Sequence, residues 1–338
     1  DIKARKRFLF LIMFVICLLF VNFLLVESTY YDLADAESHF DEFIIAHNKQ
    51  YVNEREKFTR FLIFSENLEE INRKNAESTN AVYGITKFAD LTDEEFLMYA
   101  TGLTGTGGPK CPDSISQVNS SIIAPESFDW RTKKVVSQVK DQKACGSCWA
   151  FSATGAVESQ YAIKHKKIEE VSEQQLVDCD KRSGGCSGTN ALENPILYYK
   201  DNGAMAEKDY PYESQDSTCR YKKEKVKVTV KGCKNVKVDT DEEKLKNLLH
   251  EHGPLMMALD AVPLGKYING IIKSSECKTN TLNHAILVVG YGTENGIPYW
   301  IVKNSWGQGW GEDGFFRIER GVNCLNLMVA TPVLPIVD

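Results

Sequence analysis

The sequence lacks the charge pattern of a nucleic-acid-binding protein. Its 40 Lys and Arg residues are outnumbered by 46 Asp and Glu residues, so the 338-residue chain carries a net charge of −6. Nucleic-acid binding usually requires a basic surface, so we expect no nucleic-acid partner. The sequence also lacks internal repeats and low-complexity tracts. With 43% hydrophobic residues, it is long enough for more than one folding unit around a sizeable core.

One long apolar run lies near the N-terminus. It extends from Phe8 to Val26, is interrupted only by Asn22, and follows a basic stretch. This order predicts a secretory signal sequence over residues 1–28. Because about 20 apolar residues can span a bilayer, an uncleaved signal-anchor is the alternative, and only then do we expect a membrane contact. In a secreted chain, the sequon at Asn119 predicts N-glycosylation.

Cysteine occurs in an odd number once the predicted signal is removed. The chain has ten cysteines, and Cys17 lies in the signal segment, which leaves nine. An oxidising compartment favours disulfides. Since nine cysteines cannot all pair within one chain, at least one thiol is free or pairs between chains. A free thiol in a secretory protein is a candidate catalytic nucleophile.

Composition divides the remaining chain near residue 123. Residues 29–100 are charged and helical in pattern, whereas residues 101–123 are rich in Gly, Ser, Thr and Pro, which indicates a linker. From Pro125 onward a helical half precedes short β-branched runs, which predicts an α+β fold with a cleft between two lobes. In the N-terminal segment, six residues recur at intervals of three or four positions, which predicts a stripe along one face of an α-helix. Its members are Glu56, Arg60, Phe64, Asn67, Ile71 and Asn75.

The most informative stretch is Cys145-Gly-Ser-Cys148, which has three interpretations. A zinc site normally needs a second Cys or His pair at close spacing, which this stretch lacks. A redox dithiol is expected in a βαβ setting, which the surrounding pattern does not provide. The third interpretation gives the thiols separate roles. Cys145 then forms a disulfide, and Cys148 stays free at a helix start, where the helix dipole stabilises a thiolate.

A nucleophilic thiol also needs a base and donors for the oxyanion. His284 precedes an apolar strand and is the best candidate base. Asn304 follows the next strand, and its amide can hold the imidazole in one tautomer without adding charge. The backbone N–H of Cys148 and the side-chain amide of Gln142 are candidate oxyanion donors.

Taken together, these residues resemble the papain family of cysteine proteases. The signature C-G-[SA]-C-[WY] corresponds to CGSCW at residues 145–149, and His284 and Asn304 follow the nucleophile by 136 and 156 positions. The helical stripe matches the family's pro-segment motif E-x3-R-x3-F-x2-N-x3-I-x3-N at all six positions. The next block resembles the motif G-x-N-x-F-x-D, with Thr86 in place of Asn. The details are similar to cathepsin L-like proteases, in particular those of insect viruses.

The resemblance implies a papain-like two-lobed α+β fold, with a helical left lobe, a β-barrel-like right lobe and a helical pro-domain. Residues 29–123 would form an inhibitory pro-segment, and residues 124–338 the peptidase domain. The implied activity is that of a cysteine endopeptidase made as a secreted zymogen, which acts as a monomer on polypeptides without a metal or cofactor. A lysosome-like acidic compartment or the extracellular space is expected. Acid would weaken carboxylate contacts of the pro-segment, with Asp90 and a Glu56–Arg60 pair as candidates.

The resemblance also implies a role for each site residue. Cys148 would be the nucleophile, His284 the acid and base, and Asn304 the orienting group. Gln142 would stabilise the oxyanion, and Trp306 would shield the hydrogen bond between His284 and Asn304 from water.

Three disulfides are implied by the same resemblance. They are Cys145–Cys186, Cys179–Cys219 and Cys277–Cys324, and other pairings of these six cysteines stay open. Cys111 and Cys233 are left over. They either pair with each other while the pro-segment is attached or stay free.

The implied substrate-binding residues line the cleft. They are Gly188, Thr189, Ala191, Ala258, Asn283, Trp306 and Val329. Because Ala191, Ala258 and Val329 are apolar, an aliphatic or aromatic P2 residue is expected. Thr189 replaces a family glycine, and its side chain could crowd the backbone that holds the substrate. Two alternative functions are a papain-like binding scaffold that has lost catalysis and a protease inhibitor built on the pro-segment. The latter conflicts with the complete C-terminal domain.

Overall fold

A computed structural model describes residues 30–117, 123–277, 279 and 281–338. The predicted signal, residues 1–28, and the predicted glycosylation site, Asn119, lie outside the described residues. Within the described part of the chain, no helix combines the length and the apolar character needed to cross a membrane.

Seven α-helices form over the described residues. They are α1 (Ala36–Ala46), α2 (Glu54–Glu77), α3 (Asp93–Ala100), α4 (Cys148–His165), α5 (Glu173–Cys179), α6 (Glu193–Asn202) and α7 (Glu242–His252). Short 3-10 helices cover Leu33–Asp35, Trp130–Lys133, Gly185–Ser187, Glu207–Asp209, Lys223–Lys225, Val262–Leu264 and Cys324–Asn326. Side-chain caps define several starts. The side chain of Asn53 accepts from the N–H of Glu56, and Thr92 and Glu95 form a reciprocal capping box.

Thirteen β-strands accompany these helices over the same residues. They are β1 (Val82–Tyr83), β2 (Asp113–Ile115), β3 (Phe128–Asp129), β4 (Ala204–Met205), β5 (Val226–Val228), β6 (Val230–Val236), β7 (Leu255–Leu259), β8 (Tyr267–Asn269), β9 (Ile271–Ile272), β10 (His284–Glu294), β11 (Ile297–Lys303), β12 (Phe315–Glu319) and β13 (Val333–Val337). One large sheet has the order β2-β6-β13-β7-β10-β11-β12-β9, with β3 paired to β10. The pairs β1–β8 and β4–β5 form two small sheets.

Helix α4 lies between the two lobes and is buried on nearly every side. It contacts α5 and α6 on one side and strands β10 and β13 on the other. Every residue from Cys148 to Ser159 is buried, so all sides of this part of the helix are covered, as expected for a helix enclosed in a core. Helices α4–α6 build one lobe and the large sheet builds the other. The predicted two-lobed α+β architecture is therefore confirmed.

The N-terminal helices pack together through aromatic rings. The rings of Phe40 and Phe43 each lie 5.2 Å from the ring of Phe64, which joins α1 to α2. The polar members of the predicted stripe bind the block that follows α2. The Asn67 amide donates to the carbonyls of Ala89 and Leu91 at 2.8 and 3.0 Å. The stripe is therefore one helix face, and it holds residues 83–91 in place.

The expected Glu56–Arg60 pair is wrong. Arg60 donates to the carboxylate of Glu95 at 2.6 Å and to the backbone carbonyl of Asp90 at 3.1 Å. The carboxylate of Glu56 instead accepts from the N–H of Val52 at 2.6 Å. A carboxylate in the first turn of a helix is drawn to the unpaired N–H groups there, which explains why Glu56 caps α2.

Two strands of the segment before residue 123 pair with strands in the rest of the chain. Strand β1 lies antiparallel to β8, with Tyr83 opposite Tyr267. Strand β2 lies parallel to β6, with Ser114 opposite Asn235. The chain between β1 and β2 runs along the cleft between the two lobes, which positions it over the site described next.

Candidate active site

Cys148 is the first residue of α4 and is completely buried. The backbone N–H of Ala285 donates to its Sγ at 3.3 Å, which brings the start of α4 against strand β10. Burial raises the pKa of the Cys148 thiol to about 12, and the N–H groups of Ala285, Trp149 and Cys148 itself act against this rise. With the site covered in this way, the thiol is held in its neutral form.

His284 and Asn304 are brought together by two adjacent antiparallel strands. His284 begins β10 and Asn304 follows the last residue of β11. The His284 Nε2 lies 2.8 Å from the Asn304 Oδ1. Because this Oδ1 also accepts from the N–H of Ser305, it acts as an acceptor and the proton resides on Nε2. The Nδ1 of His284, which has no hydrogen-bond partner among the described residues, is thus left with a free lone pair.

The ring of Trp306 packs against the ring of His284. Its ring centroid lies 5.0 Å from that of His284, and the ring of Trp310 lies 4.6 Å behind it. Trp306 is almost completely buried. Burial lowers the pKa of His284 to about 4, against the opposite effect of the Asn304 hydrogen bond. The imidazole is therefore neutral in this form of the protein.

The side chain of Gln142 is fixed on both sides. Its Oε1 accepts from the Ser305 hydroxyl at 2.6 Å, and its Nε2 donates to the carbonyl of Cys145 at 3.0 Å. The same Nε2 lies 3.4 Å from the carbonyl of Thr101, which belongs to the N-terminal segment. Gln142 therefore presents an oriented N–H donor beside the cleft. Ser305 was not expected as a site residue, and its position next to Asn304 is the signal that could have identified it.

Four disulfides link the described cysteines. The pairs are Cys145–Cys186, Cys179–Cys219, Cys277–Cys324 and Cys111–Cys233. The first three are the pairs that the resemblance implies. The fourth shows that Cys111 and Cys233 pair with each other, which the sequence left open. Among the described cysteines, Cys148 is the one free thiol.

Residues 100–104 occupy the cleft. The N–H groups of Gly102 and Leu103 both donate to the carbonyl of Asn283, at 3.1 and 2.9 Å. On the other lobe, the N–H of Thr189 donates to the carbonyl of Gly102 at 2.9 Å, and the N–H of Thr104 donates to the carbonyl of Thr189 at 2.8 Å. The main chain of residues 102–104 therefore bridges the two lobes through four hydrogen bonds.

Gly102 passes through a gap lined by other glycines. A Cβ at Gly102 would overlap the carbonyl group of Gly146. A Cβ at Gly188 would lie 2.5 Å from the carbonyl oxygen of Gly102. Gly188 also has a φ of +98°, which side chains disfavour. This close approach of three backbones explains why position 188, one of the predicted substrate-binding positions, is a glycine.

The expectation that Thr189 crowds the cleft is wrong. Its hydroxyl faces the interior, where it accepts from Asn194 at 3.1 Å and from Ser183 at 3.0 Å. The side chain is almost completely buried. The backbone turn at Gly188 directs the Thr189 N–H and carbonyl toward the cleft and the side chain away from it. The main-chain donor and acceptor at this position are thus available for pairing.

The other predicted subsite residues differ in exposure. Ala191 and Ala258 are completely buried, whereas the side chain of Val329 is 60% exposed. Gly108 of the N-terminal segment packs directly over Ala191, which accounts for the burial of that residue. The amide of Asn283 donates to Asp260 at 2.7 Å. Asp260 was not predicted, because nothing in its local sequence marks it as a cleft residue.

Metal binding has no candidate site in the described ranges. Within residues 30–117, 123–277, 279 and 281–338, no group of three or more His, Cys, Asp or Glu side chains lies close enough to hold a metal ion.

Comparisons with known proteins agree with this geometry. The sequence profile of the papain family cysteine protease matches residues 124–334, and that of the cathepsin propeptide inhibitor domain matches residues 40–96. The viral cathepsin of Adoxophyes honmai nucleopolyhedrovirus is 42% identical over 311 residues, which cover 88% of this chain and 90% of that protein. The viral cathepsin of Autographa californica nuclear polyhedrosis virus is 43% identical over 309 residues, with 89% and 93% covered.

Solved structures of proforms are similar over nearly the whole described chain. The digestive procathepsin L2 proteinase from the larval midgut of Tenebrio molitor has a TM-score of 0.82 and 37% identity, with 89% of this chain and 99% of that chain covered. Recombinant stem bromelain precursor has a TM-score of 0.79 and 31% identity, with 89% and 98% covered. The predicted papain-like fold is therefore confirmed. The chain belongs to the papain family of cysteine proteases and carries the family's inhibitory propeptide.

Proposed function

We propose that this protein is the secreted zymogen of a cysteine endopeptidase that acts through Cys148, His284 and Asn304. The observation that carries the proposal is the 2.8 Å bond from His284 Nε2 to Asn304 Oδ1, together with the contact of the next residue, Ala285, with the free thiol of Cys148. This bond leaves Nδ1 as the basic nitrogen of the imidazole. A base of this kind next to a thiol is the arrangement that nucleophilic catalysis requires.

The reaction is peptide-bond hydrolysis in two steps. His284 accepts the proton of the Cys148 thiol, and the thiolate attacks the scissile carbonyl carbon. The N–H of Cys148 and the Nε2 of Gln142 donate to the oxyanion that forms. His284 then protonates the leaving amine, and a water molecule activated by the same imidazole hydrolyses the thioester. No step needs a metal or an organic cofactor.

The pro-segment, residues 29–123, inhibits the peptidase domain, residues 124–338. Support comes from the cleft, where residues 100–104 use the main-chain groups of Asn283 and Thr189 that a polypeptide substrate would need. The indole N–H of Trp306 also donates to the carbonyl of Ala100 at 2.9 Å. As long as these contacts persist, a substrate has no access to Cys148.

Acid activates the zymogen by weakening carboxylate contacts. The hydrogen bond from Arg60 lowers the pKa of Glu95. A carboxylate of this kind stabilises the folded pro-segment above its unfolded pKa, and the contribution is lost as the pH falls through the folded pKa. The ion pair between Lys87 and Asp141, at 2.8 Å, also joins the pro-segment to the peptidase domain. We expect release of the pro-segment to begin as the pH approaches about 4.

The subsites favour an apolar P2 residue. Ala191, Ala258 and Val329 are uncharged, and Asn283 offers a polar edge without charge. We expect endopeptidase activity by a monomer in the secretory pathway, in a lysosome-like acidic compartment or in the extracellular space. The side-chain hydrogen bonds of Thr189 hold it away from the cleft, so this residue gives no reason to prefer a scaffold without catalysis.

Acid activation of the purified zymogen tests this proposal, with Cys148→Ala as the control. Chain mass after reduction and hydrolysis of a Phe-Arg or Leu-Arg fluorogenic peptide are followed with and without a thiol-directed epoxide inhibitor. The wild type is expected to lose about 10 kDa, the mass of the pro-segment, and to gain activity that the epoxide abolishes. The variant should stay silent. A wild-type chain that is cut but remains inactive and unlabelled would contradict the proposal.

A further inference from the structure

The disulfide Cys111–Cys233 joins the two parts of the chain that maturation is expected to separate. Cys111 precedes the expected boundary near residue 123, and Cys233 lies in strand β6 of the peptidase domain. Cys233 is completely buried and Cys111 is nearly so. A cut near Pro125 therefore leaves the chain upstream of the cut covalently attached to the peptidase domain.

The residues around Cys111 are built into the peptidase domain. Strand β2 pairs in parallel with β6 at the edge of the large sheet, and the N–H of Lys237 donates to the carbonyl of Ile115 at 2.8 Å. The N–H of Cys111 donates to the side chain of Asn235 at 2.9 Å, and Asn235 in turn donates to Glu193 at 2.9 Å. Backbone pairing, a buried polar pair and a disulfide together hold this stretch in place.

The same attachment holds the inhibitory residues near the cleft. Only seven positions separate Thr104, the last residue paired with Thr189, from Cys111. A short tether of this kind keeps a released segment at an effective concentration on the order of millimolar. Loss of the peptide bond near residue 123 therefore changes little at the cleft, because the inhibitor rebinds faster than it can diffuse away.

We propose that Cys111–Cys233 makes the cut near residue 123 insufficient for activation. Latency ends only when the chain is also cut between Thr104 and Cys111. A short pro-segment peptide then remains in the active enzyme, bonded to Cys233 and paired as strand β2. This inference rests on the proposed function, since it concerns the release of the pro-segment from that site.

Mass spectrometry of the acid-activated wild-type enzyme tests the attachment directly. Free thiols are blocked with iodoacetamide, and the intact mass is measured before and after reduction of the denatured protein with a dithiol. Reduction transfers two electrons and two protons to the disulfide, giving two thiols, while the dithiol becomes a cyclic disulfide. We expect the unreduced enzyme, after enzymatic removal of N-glycans from Asn119, to be heavier by about 2 kDa, the mass of residues 105–123. Alkylated Cys233 with no attached peptide would overturn the proposal.

A time course of activity and cut positions tests the consequence for latency. In the wild type, activity should rise with the cut upstream of Cys111. In the double variant Cys111→Ala/Cys233→Ala, it should rise with whichever cut comes first. Wild-type activity that follows the cut near residue 123 would refute the tether's role. If neither protein ever hydrolyses substrate after cutting, the proposed function fails, while the mass measurement, which needs no variant, still decides the attachment.

Discussion

Replacement of Gly102 by alanine isolates the contact that closes the cleft. Gly102 does not have a positive φ, so alanine is compatible with its backbone. A Cβ at this position would overlap the carbonyl group of Gly146, which is main chain and cannot rotate aside. The pro-segment must therefore lift away from the cleft floor in Gly102→Ala. The substitution changes one methyl group and no charge.

The size of the effect follows from the hydrogen bonds that this movement breaks. Four main-chain hydrogen bonds join residues 102–104 to Asn283 and Thr189. A net contribution of about 1 kcal/mol is typical for one such bond. If the shift of Gly102 breaks the two hydrogen bonds that Gly102 itself forms, binding of the pro-segment to the cleft weakens by about 2 kcal/mol. This corresponds to an affinity about 30-fold lower.

Residual activity of the intact zymogen at neutral pH measures this change. We expect Gly102→Ala to hydrolyse a fluorogenic peptide, and to react with a thiol-directed epoxide, about 30-fold faster than the wild type. Gly107→Ala is the matched control, because a Cβ there meets no atom within 4 Å. Melting temperatures of both variants should stay close to that of the wild type. Equal latency in all three proteins would refute the steric argument.

Further predictions concern ionisation, orientation and packing. Burial raises the pKa of Cys148 to about 12 and lowers that of His284 to about 4. Both groups should be neutral in the zymogen between about pH 5 and 8; thiolate absorbance that already exists in the zymogen at pH 6 would contradict this. Asn304→Ala should lower kcat/KM of the activated enzyme by up to about 100-fold with KM nearly constant, because it frees the imidazole to rotate; steady-state kinetics measure this, and a change in KM alone would argue against it. Phe88→Ala removes a buried ring 5.3 Å from that of Trp306 and should cost about 3–5 kcal/mol, shared between pro-segment stability and docking. Its zymogen should therefore process at a higher pH than Met98→Ala, whose side chain is 75% exposed, and an equal processing pH would refute the packing argument.

The catalytic candidates could be identified from sequence because their chemistry restricts the residue types. A free cysteine at a helix start, with a histidine and an asparagine next to two later strands, is typical of a thiol nucleophile with its base and orienting group. Antiparallel pairing of β10 with β11 then brings His284 beside Asn304. The spacing of Asn67 and Asn75 predicted one helix face in the same way, since helical geometry links positions three and four apart.

These local patterns could not predict contacts between distant segments of the chain. The sequence did not decide whether Cys111 and Cys233 pair, because 122 positions separate them and pairing depends on which segments the fold brings together. The partner of Arg60 was also predicted wrongly. The sequence analysis named Glu56 as the candidate partner, but the fold places the carboxylate of Glu95 at 2.6 Å from Arg60 and gives Glu56 a capping role.

The sequence by itself determined the family, the two-lobed α+β class and the candidate catalytic residues, because each rests on residue types at short or regular spacing. Tertiary structure alone decided that the Thr189 side chain turns inward, that Gly102 fits only as glycine, and that a disulfide joins Cys111 to Cys233. The direction of a side chain and the approach of two backbones depend on which distant segments pack together. Neither is encoded in the local pattern of any one segment.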